Sequence, residues 1–166
     1  MKTTSTRHIG PPEIHARSGS YVFQGFGLRI LMSSKQTAGL FSMIEGIIPP
    51  GGDSGLHVQH HEDERLVVVA GFLEVTLGAT THALQAGESY VVPRGAPHRV
   101  RNTGQSSAKA VVVTTPGGFD EFVRLVGTPV EDGSTSTGLP NTPADPARLL
   151  ELARRFGIEM LPHPSP

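Results

Sequence analysis

Four side chains able to do chemistry are spaced so that two hairpins could bring them together. His57 and Gln59 stand two apart, and Glu64 follows, in the stretch GDSGLHVQHHEDERLVVVAG (52–71). Residues two apart on a strand leave the same face, so His57 and Gln59 point one way. Glu64 opens the apolar run that comes next. Later, in GESYVVPRGAPHRVRN (87–102), His98 begins a second apolar stretch directly after the turn Pro93-Arg94-Gly95-Ala96-Pro97. Two adjacent hairpins could therefore aim His57, Gln59, Glu64 and His98 into one space. Imidazole and carboxylate move protons near neutral pH and are also common metal donors. An amide offers only a neutral oxygen and N–H groups. The chain has no cysteine, which excludes disulfides, thiol catalysis and Cys-type zinc sites together.

The elements that must position these groups read as short strands between turns. Candidates are 21–23, 28–32, 40–48, 55–59, 64–69, 73–77, 81–84, 90–92, 98–101 and 110–115. Turn chemistry separates them, as in Pro49-Pro50-Gly51-Gly52, Ala86-Gly87-Glu88 and Asn102-Thr103-Gly104. Short strands at this spacing, rich in Val, Ile, Leu and Phe, predict an all-β antiparallel sandwich or barrel. Residues 1–19 read as a polar arm, 20–116 as the barrel, and 117–166 as a helical extension and tail. Phe119, Phe122, Val123 and Val126 recur with helical spacing after Gly117-Gly118. Residues 127–144 are rich in Gly, Ser, Thr and Pro and read as an irregular linker. Asp145-Pro146 then starts a second helix with an apolar face of Leu149, Leu152, Ala153 and Phe156, closed by Gly157. The tail after it carries apolar residues that could dock on the sheet.

The two motif segments resemble the cupin family. The second fits the cupin pattern G-x5-P-x-G-x2-H-x3-N at Gly87, Pro93, Gly95, His98 and Asn102. The first fits G-x5-H-x-H-x3-4-E-x6-G at Gly51, His57, Glu64 and Gly71, with Gln59 where the family has its second histidine. The likeness covers roughly Tyr21–Thr115, and Phe156-Gly157-Ile158-Glu159 is also similar to small cupins related to quercetin dioxygenases. The resemblance implies a jelly-roll double-stranded β-helix with a divalent metal in its mouth, bound by three His and one Glu. Here His57, Glu64 and His98 take ligand positions, with Gln59 as a weaker fourth donor or a partner for a metal-bound water or substrate. Two outcomes compete. Two imidazoles and a carboxylate suit non-haem iron(II), with nickel, manganese, zinc or copper also open; or the loss of one imidazole leaves the site empty. His60 could replace Gln59 only if a β-bulge turned it inward.

Composition narrows the partners. With 14 Lys+Arg against 15 Asp+Glu there is no basic field for a nucleic acid, and no apolar run is long enough for a membrane span. A cytoplasmic location is the expectation, since residues 1–18 lack the apolar core of a secretory signal. Leu66, Val68, Val91, Val100 and Val112 are expected to face inward, with Phe26, Phe41 and Met43 near one end. Glu62, Asp63, His60, His61 and His82 are expected at the surface. An apolar interior, with the only lysines at 2, 35 and 109, favours an aromatic or polyketide-like small molecule over a sugar phosphate. The resemblance then implies a dioxygenase-like oxidoreductase, with Glu64 and Gln59 as candidate catalytic groups. A non-oxidative cyclase or isomerase of the same fold, or a non-catalytic ligand-binding barrel, are the alternatives. Sheet edges must be covered; Tyr21–Met32 could cross to a partner, and a homodimer is expected.

Overall fold

The computed structural model describes residues 19–131 and 145–162. The arm before Gly19 and most of the expected linker, 132–144, lie outside the described residues. Two antiparallel sheets face each other. The larger contains β1 (Ser20–Phe23), β2 (Phe26–Met32), β3 (Ser42–Ile48), β5 (Asp63–Ala70), β8 (Ser89–Val92), β10 (Ala108–Thr115) and β11 (Thr128–Val130). Its order is β11-β1-β2-β3-β10-β5-β8. The smaller contains β4 (His57–Gln59), β6 (Phe72–Leu77), β7 (Thr80–Gln85), β9 (His98–Arg101) and β12 (Ile158–Met160), in the order β12-β4-β9-β6-β7. Two helices, α1 (Phe119–Val126) and α2 (Pro146–Arg155), complete it. This is the all-β antiparallel sandwich expected from the strand spacing, in the jelly-roll form that the resemblance implies.

Strand alternation builds the core. In β3, Ser42, Ile44, Gly46 and Ile48 form the buried set while Met43, Glu45 and Ile47 alternate outward. In β5 the buried set is Glu64, Leu66 and Val68. Ile48, Leu66 and Val68 meet Leu73, Val75, Leu84 and Val100 of the smaller sheet. A period of two applied to both facing strands fills the space between sheets with branched side chains. Leu66, Val68, Val100 and Val112 face inward as expected. Val91 does not: it is exposed, paired across from Arg65 on the outer face. Its expected position slipped by one residue, which inverts a strand's faces. Phe41 and Met43 also lie off the interior, whereas Phe26 lines it.

The extension is more than helical. β11, expected as the start of a linker, adds an edge strand to β1, with Tyr21 opposite Pro129. Within the chain β1 pairs with β11 and β2 with β3. β12 pairs with β4, placing Ile158 opposite Gln59 and Met160 opposite His57. Asp145 caps α2 by accepting from the Ala147 N–H at 3.0 Å, as its position predicts. Gly157 ends that helix at φ +70°, and a Cβ there would collide with the His61 ring. Only glycine combines this left-handed turn with such close approach, and the turn delivers the chain to β12. Phe122, Ala153 and Ile158 form another core cluster with Phe119, Leu149 and Phe156 around them, so both helices are fastened to the barrel by apolar contact.

Candidate functional site

The two sheets converge on the four residues that the spacing singled out. β4 presents His57 and Gln59, β9 presents His98 opposite His57, and Glu64 comes from β5 of the facing sheet. The His57 and His98 rings stand 4.2 Å apart between centroids. Glu64 Oε2 accepts from Gln59 Nε2 at 2.9 Å and lies 3.8 Å from His98 Nε2, an ion-pair distance too long for a hydrogen bond. His98, Gln59 and Glu64 are buried, and His57 is partly so.

Both imidazoles are oriented from behind. His57 Nδ1 is 3.0 Å from the Gly55 carbonyl, and His98 Nδ1 is 3.0 Å from the Ala96 carbonyl. A carbonyl can only accept, so each Nδ1 carries the proton there and each Nε2 is turned to the interior. His98 Nε2 and Gln59 Oε1 are buried with no hydrogen-bond partner. Such atoms are costly unless something else satisfies them.

The charges are coupled. Burial alone would raise the Glu64 carboxyl, but facing His98, with His57 and the Gln59 amide, reverses this and holds it below the ordinary carboxylate range. For His98, burial works against the charged form and Glu64 overcomes it, so the imidazole is raised. Burial and then the neighbouring His98 push His57 down, toward the neutral ring. Glu64 and His98 thus favour each other's charged form, while His57 is pushed toward its neutral one.

Two imidazole nitrogens, a carboxylate and an amide oxygen are a donor set for a divalent transition metal, and two of those atoms lack any other partner. Imidazoles anchored through Nδ1 to backbone carbonyls are prepared in the way metal-ligating histidines are. The set is not closed as it stands: among the described residues no three His, Asp or Glu side chains already group around one point. Glu64 Oε2 is engaged by the Gln59 amide, which leaves Oε1 and the remaining lone pairs for other partners.

Other expectations resolve differently. His60 does not turn inward; it is exposed and paired with Glu159 at 2.8 Å. Asn102 is buried and structural, donating to the Ile48 and Ser106 carbonyls and accepting from the Gly104 N–H. Arg94 pairs with Asp63, and Arg99 with Asp53. Glu62, expected at the surface, is buried. Its Oε1 accepts from the Phe119 N–H at 2.8 Å and so satisfies the first turn of α1. Burial pushes this carboxyl up to about 7, the helix N–H partly opposing. Gly118 is where the carboxylate passes, since a Cβ would stand 2.9 Å from Glu62 Oε1. The same two-residue alternation that placed His57 and Gln59 would have put Glu62 on the buried face with Glu64.

From the polar end a cavity of about 130 Å³ runs into apolar surroundings. Phe23, Phe26, Leu28 and Val112 line its barrel side; Phe119, Phe122, Leu149, Ala153, Ile158 and Met160 line the side made by the extension. Sequence spacing alone did not reveal this second wall.

The cupin domain family model (Cupin_2) matches residues 45–114. Protein SchB of Streptomyces halstedii is 33% identical over 90 residues, 53% of this chain and 64% of that protein. The xanthan biosynthesis protein XanB of Xanthomonas campestris pv. campestris (strain ATCC 33913) is 32% identical over 80 residues, 47% of this chain and 17% of XanB. The chain thus matches less than two thirds of the length of either relative. Among solved structures, KdgF from Halomonas sp. superposes with a TM-score of 0.55 at 18% identity, covering 62% of this chain and 91% of that one. Residues 45–114 thus match a cupin domain, and the barrel has the fold of the solved cupin-like structures.

Proposed function

We propose that the protein is a metal-dependent enzyme acting on an aromatic or polyketide-like small molecule, with His57, His98 and Glu64 holding a divalent cation and Gln59 beside them. One observation carries the reading: two imidazoles with their Nε2 atoms freed and a buried carboxylate share the polar end of an otherwise apolar cavity. A bound cation would supply Lewis acidity toward an enol or phenol oxygen and, in the dioxygenase version, a place for dioxygen beside it. The chain's own residues do the rest. The Gly55 and Ala96 carbonyls fix the tautomers of His57 and His98. Gln59 orients Glu64 by donating to its Oε2. The phenylalanines exclude water and seat the apolar part of the substrate. Among the described residues no Lys or Arg lines the cavity, so a sugar phosphate would find no countercharge there.

The Glu64–His98 ion pair supports a second version, a non-oxidative cyclase or isomerase, in which Glu64 takes a proton from substrate carbon. Oxygen dependence separates the two. Purified protein loaded with iron(II), nickel or manganese is mixed with a panel of phenols and polyphenols in an oxygen electrode. Oxygen uptake above background that vanishes in His98→Ala supports the dioxygenase. Substrate turnover unchanged under argon supports the non-oxidative version. Less than about a tenth of an equivalent of any transition metal, not restored by incubation, would overturn the metal reading and leave a ligand-binding barrel.

A further inference from the structure

The cavity has a size, and the size is informative. A dry apolar cavity of about 150 Å³ lined by Leu, Ile and Phe accommodates one benzene molecule. The space here is about 130 Å³. It accommodates one aromatic ring with a small substituent. The lining suits a ring as well as the volume does. Phe23, Phe26, Phe119 and Phe122, four of the chain's seven phenylalanines, border it. Phe23 meets Phe122 edge-to-face with centroids 5.8 Å apart, and Phe119 stacks on Phe122 at 5.9 Å. Such clusters extend readily to one more ring, because aromatic edges and faces carry opposite partial charge.

The boundary that sets this size comes from the C-terminal extension. Ala153 of α2 is buried, and its small side chain leaves part of the volume open. Met160 of β12 lines the same wall and sits opposite His57 in the strand pairing. A thioether is a favourable and adaptable neighbour for an aromatic ring.

We infer that the site selects phenols of a single ring, with the hydroxyl toward His57 and His98, and that Ala153 and Met160 of the extension determine that limit. The orientation of the hydroxyl rests on the proposed function; the size limit rests on the wall alone.

Isothermal calorimetry with the full-length, metal-loaded protein tests it, using 4-methylphenol, 2-naphthol and 4-phenylphenol as probes. The wild type should bind 4-methylphenol saturably and the two larger phenols at least tenfold more weakly. Ala153→Leu should weaken 4-methylphenol at least tenfold without changing metal content. Met160→Ala, which enlarges the space and burdens folding less, should tighten 2-naphthol relative to 4-methylphenol by about tenfold. Equal or tighter wild-type binding of 4-phenylphenol would overturn the inference, as would a Met160→Ala protein with an unchanged preference. Metal content read on the same samples keeps the two ideas apart. Selective binding of 4-methylphenol by protein that takes up no metal removes the proposed function and keeps the size limit. Full metal loading with no saturable phenol binding does the reverse.

Discussion

The two ends of the cavity are built in opposite ways. At the polar end, four side chains from β4, β5 and β9 converge because hairpins of fixed register leave little freedom: His57 is opposite His98 in the ladder, and Glu64 enters from the facing sheet. At the apolar end, Phe119, Phe122, Ala153, Ile158 and Met160 come from segments that follow the barrel in the chain and are held by apolar contact. The polar end can alter its chemistry by one substitution, as Gln59 in the place of a histidine illustrates. The apolar end can alter its size without touching His57, Gln59, Glu64 or His98. The ends meet at β12, whose pairing with β4 makes the far wall a direct support of the strand that carries His57 and Gln59.

The sharpest way to break this division is at Phe122, which is buried and in ring contact with Phe23, Phe119 and Phe156. Phe122→Ala should cost about 3–5 kcal/mol of unfolding free energy in a urea titration. A loss below about 1 kcal/mol would mean that the extension is not anchored through this ring. At the other end, His98→Ala removes one donor and leaves Glu64 without its ion-pair partner. Metal affinity, measured by chelator competition, should fall at least about 100-fold, about 2.7 kcal/mol. An unchanged affinity would place the cation elsewhere.

The smallest effect concerns the joint between the ends. Glu62, which caps α1, titrates near 7 in the folded protein against an ordinary value of 4.5. Between those values the folded protein keeps a proton that the unfolded chain has lost. Stability should therefore fall as pH rises from about 4.5 to 7, by about 1–3 kcal/mol from this group. Glu62→Gln keeps an acceptor for the Phe119 N–H and removes the titration. Its melting temperature should decline less than the wild type's over that interval; parallel curves would refute the assignment.

The same contrast explains what the sequence disclosed. Strand alternation and turn residues are local, so the barrel, the two motifs and the four residues of the polar end could be read from spacing. The cap at Asp145 was legible for the same reason, since one side chain meets a backbone N–H two residues on. Val91 was misplaced because one residue of register inverts a strand, and nothing in a run of valines marks the register. Glu62 was misread because its company of charged neighbours suggested solvent, while a helix end 57 residues later in the chain is what makes its burial tolerable. The extension's wall and the pairing of β12 with β4 depend on contacts across about a hundred residues, which no local pattern announces.

His57, His98 and Glu64 are proposed to serve one cation at the head of the cavity. X-ray absorption at the metal edge of the loaded protein tests it most directly. The account predicts a first shell of two imidazole nitrogens with the remainder oxygen, reduced to one imidazole in His98→Ala. A first shell with no imidazole scattering, or one unaltered by that substitution, would contradict it.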